Sequence, residues 1–271
     1  VTAEKFMMAA AGAGLFSNQT ARYNYPKSLP YTRRTLNYFK PREYSIRYAE
    51  TSDMPSLDAL EKRCWGELRA PTDELLERLT RYPEGQLVLE KNGEVLGVIY
   101  SLRIKDKSVI AGHIDRNIHE CHLGDDGAVV QLLAVNVMPE YQNLNLGDEL
   151  LEFMLQRCSV LHGITSVAAV TRCRDYCRHP ELSMDQYINY RKKDGRLVDP
   201  VLRFHEQHGA NIECILSGYR PKDIENNGDG ILVFYDIHHR KRKDGVARQE
   251  YSHSNEMKAL DVVVRESICN I

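Results

Sequence analysis

From Val129 to Val137 the chain is an almost unbroken apolar run. From Asp148 onward the apolar positions change to a helical period, with Leu150, Leu151, Met154, Leu155, Cys158 and Leu161 on one stripe. The first pattern predicts a strand buried on both faces, the second a helix with one apolar face. Pro139 ends the strand pattern, and residues 142–147 supply a short polar turn between the two. Asp148 and Glu149 stand in the first helical turn, where negative charge is favoured. Such a strand, turn and helix aim unpaired backbone N–H groups and the positive end of the helix dipole at one point. That is an anion site that a pyrophosphate fits, although the same pattern also serves as an ordinary strand-to-helix connection.

The rest of the chain reads as alternating elements. Residues 44–49 form a first strand. A helix capped by Thr51, Ser52 or Asp53 runs through Leu57, Leu60 and Cys64 to Trp65. A second helix over 71–81, capped by Thr72, carries Leu75, Leu76 and Leu79 on one face. Strands at 86–90 and 94–104 are joined by Asn92-Gly93, the strongest short hairpin signal. Residues 106–127 are an irregular insertion with His113, His119 and His122, read as solvated. A strand at 165–171, a helix capped by Ser183 through Tyr187 and Tyr190, and a helix opened by Asp199-Pro200 and stopped by Gly209 follow. Strands at 210–216 and 230–236 close the domain.

Composition narrows the class. The chain has 271 residues and a net charge of -2, room for one sizeable α/β domain with extensions or for one large domain, and no electrostatic case for nucleic acid. No apolar run is long enough to span a bilayer, and no signal peptide is evident. Seven irregularly spaced cysteines suit free thiols in a reducing cytoplasm better than a disulfide framework. Cys173, Cys177 and His179 match no strong zinc spacing, so no metal is expected. Three regions result: a helix (3–16) and linker arm over 1–43, a catalytic domain over 44–239 and a C-terminal extension over 240–271. The first residue, Val1, suggests a piece of a larger polypeptide.

The segment from Val137 through Pro139 and Gln142 to Gly147 resembles the acetyl-CoA-binding motif of the GCN5-related N-acetyltransferase (GNAT) superfamily, Gln/Arg-x-x-Gly-x-Gly/Ala after a strand. Gln142 and Gly147 match its ends, and Asn145 stands where the middle glycine is expected. Asparagine tolerates left-handed backbone angles next best after glycine, so the turn survives the change. The resemblance implies a GNAT fold over about residues 45–237: a mixed sheet splayed between its fourth and fifth strands and flanked by helices. It implies a coenzyme A thioester held by Val135, Val137, Gln142, Asn143, Leu144, Asn145, Leu146, Gly147 and Asp148.

A narrower resemblance runs through Cys64-Trp65, Thr171-Arg-Cys-Arg-Asp, Asp199-Pro-Val-Leu-Arg-Phe-His205 and Gly218-Tyr-Arg220-Pro. These are similar to GNAT-like domains of polyketide synthase loading modules. The resemblance implies decarboxylation of a malonyl-type thioester and S-acyl transfer to the phosphopantetheine arm of an acyl carrier protein, with neighbouring synthase domains as partners. It implies Trp65, Thr171, His205 and Arg220 as the functional positions. Read without the family, Thr171 simply ends a strand, His205 is a half-buried helix residue, Trp65 is core and Arg220 is a surface ion pair.

The residue types suit the chemistry. Loss of CO2 leaves an enolate, which donors aimed at the thioester oxygen stabilise and an apolar pocket for the carboxylate promotes. Thr171 and His205 can hydrogen-bond the carboxylate or enolate, and His205 is the candidate to protonate the carbanion. Trp65 supplies an apolar wall, and Arg220 holds a carboxylate or phosphate. No carboxylate stands out as the base an amine acceptor needs, whereas a thiol acceptor needs less help. The competing readings are a plain N-acetyltransferase and a degenerate CoA-binding domain, the latter motivated by Asn145.

Overall fold

The computed structural model describes residues 43–112 and 126–243. The helix expected over 3–16, the arm before residue 43, the histidines His113, His119 and His122, and the tail beyond 243 lie outside the described residues. Among those described, seven strands form one sheet: β1 (Ser45–Tyr48), β2 (Leu87–Lys91), β3 (Glu94–Ile104), β4 (Val129–Val137), β5 (Ser166–Thr171), β6 (Asn211–Leu216) and β7 (Gly230–Tyr235). Their order is β1-β2-β3-β4-β5-β7-β6. Neighbours are antiparallel except β4 and β5, which are parallel. The helices are α1 (Met54–Trp65), α2 (Thr72–Arg81), the single turn α3 (Ser108–Ala111), α4 (Leu146–Val160), α5 (Met184–Ile188) and α6 (Pro200–Gln207).

Local chemistry accounts for most of these boundaries. Asn92 and Gly93 both have positive φ, 54° and 80°, as the tight β2–β3 hairpin demands. Asp199 caps α6 by accepting from the backbone N–H of Val201 and Leu202 at 2.9 and 3.0 Å, and Pro200 fills the first helical position. Gly209, at φ 85°, ends the segment as expected. Ser183 caps α5 through Gln186, but that helix stops at Ile188, short of Tyr190.

Two expected caps differ. The Thr72 hydroxyl donates to Asp58 at 2.7 Å instead of capping α2, whose N-cap is Pro71. Asp53 does stand at the N-cap of α1, as one of the expected candidates, but its side chain makes no cap bond there: it accepts from the Glu50 N–H and pairs with Arg47 at 2.7 Å, closing a 3-10 turn ahead of the helix. Leu76 is 44% exposed: only Leu75 and Leu79, four apart, share the buried stripe of α2. Leu161 lies just past the end of α4, in extended backbone packed against the core.

The splay has a visible cause. Parallel pairing of β4 with β5 runs from Val129–Ser166 to Leu132–Ala169 and stops, although β4 continues to Val137 and β5 to Thr171. At that point β4 carries a bulge: Ser101 faces Leu132 and Tyr100 faces Ala134, leaving Leu133 as the extra residue. The bulge also resets the alternation of side chains. Val130, Leu132, Val135 and Val137 share one core with Leu150, Leu151, Met154, Leu155 and Cys158 of α4. Ala134 and Met138 turn to the other face, where Leu57, Leu60, Leu75 and Leu79 of α1 and α2 pack on Val88, Val98 and Tyr100. Gly97 lets α4 approach: a Cβ there would come within 2.9 Å of the Asn136 carbonyl oxygen and 3.0 Å of Leu150.

Candidate active site

Where β4 and β5 part, a cleft of about 490 Å³ opens. Its floor is Leu132, Leu133, Ala134 and Val135 on one side and Ala169, Val170 and Thr171 on the other. Gln142, Asn143, Asn145, Leu146, Gly147 and Asp148 of the turn line it as well, together with Trp65, His205 and Arg220. The four positions suggested for chemistry, separated by up to 155 residues in the chain (Trp65 to Arg220), therefore line one cavity.

The turn has the geometry expected of an anion cradle. Asn145 is left-handed, φ 59° and ψ 17°, and Asn143 has φ 69°. The first backbone bond of α4 runs from the Glu149 N–H to the Asn145 carbonyl at 3.0 Å, so the N–H groups of Leu146, Gly147 and Asp148 have no carbonyl one turn earlier. The Gln142 side chain folds back to the Val137 carbonyl at 3.1 Å and braces the turn. Gly147 is not required by packing: a Cβ would meet Val137 at an ordinary 3.8 Å and Phe204 at 4.0 Å. Its missing side chain leaves room on the cleft side instead. Leu144, expected among the binding positions, does not line the cleft and is 57% exposed, because it sits at the tip of the turn between two left-handed residues.

Behind the turn lies an ionic cluster whose members are too far apart in the chain for any local pattern to mark it. His208 is fully buried, with Nε2 3.0 Å from Asp148 and Nδ1 2.9 Å from Glu152. Arg240 also binds the Glu152 carboxylate and donates to the His208 carbonyl at 3.1 Å. Burial alone would favour the neutral carboxyl of Glu152, but the hydrogen bonds from His208 and Arg240 outweigh it and hold its pKa down at about 2. Burial also opposes charge on His208, and the two carboxylates overcome it, raising the pKa. The first turn of α4 is thereby tied to the segment after α6.

Also on the cleft lining, His205 is 7% exposed and its Nδ1 lies 2.6 Å from the Tyr235 hydroxyl. Burial, then the nearby charge of His208, pushes its pKa down to about 3, so the ring is neutral at ordinary pH. A buried phenol must place its proton on an acceptor, and Nδ1 is the partner of Tyr235 among the described residues. With the phenol as donor, the ring's own proton is assigned to Nε2, and His205 is one of the residues lining the cleft. A neutral imidazole of this kind donates a hydrogen bond through the ring nitrogen that keeps its proton. α6 carries His205 and is anchored by Asp199, whose second oxygen also accepts from the Tyr187 hydroxyl and the Asp175 N–H at 3.2 Å.

The Thr171 hydroxyl, 8% exposed at the end of β5, makes only a long 3.4 Å contact to the Arg172 carbonyl. Arg220 donates to the Val170 carbonyl at 3.0 Å and stands 6.0 Å from the centre of the Trp65 ring. Its loop is held by Arg172, which pairs with Asp223 at 2.9 Å, and by the Cys173 N–H bound to Asn226 at 2.9 Å. Cys64, beside Trp65, is no thiolate: burial and then Glu61 push its pKa up to about 11. Arg172, Arg174, Tyr141, Pro200, Val201 and Phe204 also line the cleft. Only the tertiary arrangement singles them out.

The acetyltransferase (GNAT) family model matches residues 52–179. The loading GNATL domain of CurA from Lyngbya majuscula is 45% identical, with a TM-score of 0.71 over 73% of this chain and 100% of that one. The chain belongs to the GNAT family. Within the GNAT family it is also 40% identical to the GNAT-like decarboxylase GphF, solved in complex with isobutyryl-CoA, with a TM-score of 0.67 over 71% of this chain and 99% of that one. The probable hydrolase YhcX of Bacillus subtilis is 26% identical over 184 residues, 66% of this chain but 36% of its own length. The GNAT sheet, with its parallel β4–β5 pair opening rather than closing, matches the architecture anticipated for residues 45–237. No helix among the described residues is long and apolar enough to cross a membrane.

Proposed function

We propose that residues 44–239 form a GNAT-fold decarboxylase that converts a malonyl-type thioester to the starter acyl thioester, with S-acyl transfer from CoA to an acyl carrier protein. The observation that carries the reading is the convergence of Trp65, Thr171, His205 and Arg220 on the cleft that the turn from Gln142 to Asp148 also lines. The pyrophosphate of CoA is held by the N–H groups opening α4, and pantetheine lies along the unpaired edges of β4 and β5. The similarity to a polyketide loading domain and to a GNAT-like decarboxylase bound to an acyl-CoA supports both the reaction and the thioester.

In the reaction the carboxylate–carbon bond breaks, CO2 leaves and its electron pair becomes the enolate of the thioester. The Nε2–H of His205 and the Thr171 hydroxyl stabilise the developing negative oxygen. Trp65 and the apolar walls keep the carboxylate poorly solvated, and Arg220 orients it. With His205 neutral, the proton that completes the acyl group comes from water. Among the described cleft residues Asp148 is the one carboxylate, and it is bonded to His208, which weighs against a base for an amine acceptor.

The test is incubation with malonyl-CoA and with malonyl-loaded carrier protein, followed by mass spectrometry of both thioesters. Acetyl products with loss of CO2 support the reading. Acetylation of amines from acetyl-CoA with malonyl-CoA left intact would establish the N-acetyltransferase instead. CoA binding without consumption of any thioester would leave only a binding domain.

A further inference from the structure

Trp65 is fastened from behind. Its indole Nε1 donates to Asn136 Oδ1 at 2.7 Å. The amide nitrogen of Asn136 donates to Glu61 Oε2 at 2.6 Å, and Glu61 Oε1 accepts from the Ala70 N–H at 3.1 Å. Asn136 is 2% exposed and Glu61 4%, and neither lines the cleft. The chain has one possible sense. An indole N–H only donates, so Asn136 must offer it the carbonyl oxygen, which leaves the NH2 to face an acceptor. Glu61, one turn before Trp65 on α1, is that acceptor.

Neighbouring contacts point the same way. Cys64 donates to the Val137 carbonyl at 3.4 Å, and Arg63 pairs with Glu140. Gly66, with φ 54° and ψ −117°, breaks α1 immediately after Trp65. The last turn of α1 is thus laid along the end of β4, and the indole is pinned at its one polar atom. A ring held at its edge cannot turn about its outer torsion, so it presents one face toward Arg220.

We infer that Asn136, backed by Glu61, is a positioning residue that sets the Trp65 indole as a wall of the cleft. Its catalytic consequence rests on the decarboxylase reading, but the positioning itself does not. Trp65 is the only tryptophan, so intrinsic fluorescence reports on this ring alone.

The experiment compares wild type, Asn136→Ala, Trp65→Phe, the double variant Asn136→Ala with Trp65→Phe, and the exchanged pair Asn136→Asp with Glu61→Gln. The exchanged pair reverses donor and acceptor between the two positions while keeping an acceptor for the indole and the net charge. In Asn136→Ala we expect red-shifted emission and lower anisotropy, with kcat for CO2 release reduced about tenfold and KM within about twofold. The exchanged pair recovers both signals. In the Trp65→Phe background, which has no N–H to hold, adding Asn136→Ala changes kcat by less than about twofold.

Unchanged emission and anisotropy in Asn136→Ala would overturn the inference. So would an equal loss of kcat in both backgrounds, which would mean that Asn136 acts through general folding. If wild type releases no CO2, the decarboxylase reading fails separately, and the emission and anisotropy of the variants still decide the positioning.

Discussion

His205 Nδ1 and the Tyr235 hydroxyl meet at 2.6 Å inside the core, joining helix α6 to strand β7. The phenol fixes which ring nitrogen carries the proton and leaves Nε2–H as the ring's donor. Tyr235→Phe removes that control. We expect kcat for decarboxylation to fall about tenfold, the worth of one hydrogen bond, while the dissociation constant for CoA is unchanged. Stopped-assay CO2 release and calorimetric CoA titration measure the two quantities.

Removing the donors themselves has a larger effect. Thr171→Val is expected to lower kcat by roughly 100- to 1000-fold, the range for losing one donor to a developing oxyanion. His205→Ala is expected to abolish CO2 release, with CoA still bound by both variants. Normal turnover in either variant would remove that residue from the site.

The neutral state of His205 sets a pH signature. Its folded pKa of about 3 lies below the ordinary 6.5, so its charge does not change between pH 5 and 8. The rate of decarboxylation should lack an inflection near 6.5 attributable to this ring. Stability carries the complementary sign. Below pH 6.5 the unfolded chain takes up a proton that the folded one refuses until about 3, so folding weakens as pH falls through that window. The slope is at most about 1.4 kcal/mol per pH unit. Urea melts at several pH values should show this slope reduced in His205→Gln.

Gly147 separates folding from binding. Because a methyl there meets only ordinary contacts with Val137 and Phe204, Gly147→Ala should melt within a few degrees of wild type. Its affinity for CoA should nevertheless drop about tenfold or more, through lost approach of the pyrophosphate to the α4 amides. Thermal melts with and without CoA test both halves. An undiminished CoA-induced shift in Tm would refute the placement of the phosphates.

The Glu152 cluster should be structural in the first instance. Glu152→Gln leaves Arg240 and His208 facing a neutral amide in a buried place, a loss of about 3–5 kcal/mol. Chemical denaturation measures it directly. A change below about 1 kcal/mol would show that the cluster is solvated after all.

Local signals were enough for the sequence by itself to determine the main strands and helices, though not every cap and end. The apolar run of β4, the helical period of α4, Asn92-Gly93 and the Asp199-Pro200 cap each act within a few residues, where backbone angles and side-chain spacing decide the outcome. The left-handed Asn145 belongs to the same class, since it depends on one residue's steric tolerance. What only the tertiary structure decided is which side chains meet. Simple alternation from Leu132 would put Asn136 among the leucines of α4; the bulge at Leu133 turns it to α1, where Trp65, 71 residues away in sequence, finds it. Tyr235 behind His205 and His208 behind Asp148 are likewise pairings across 30 and 60 residues. A buried polar atom takes whichever partner the packing brings within about 3 Å, and that choice is made by the whole fold rather than by any local stretch of chain.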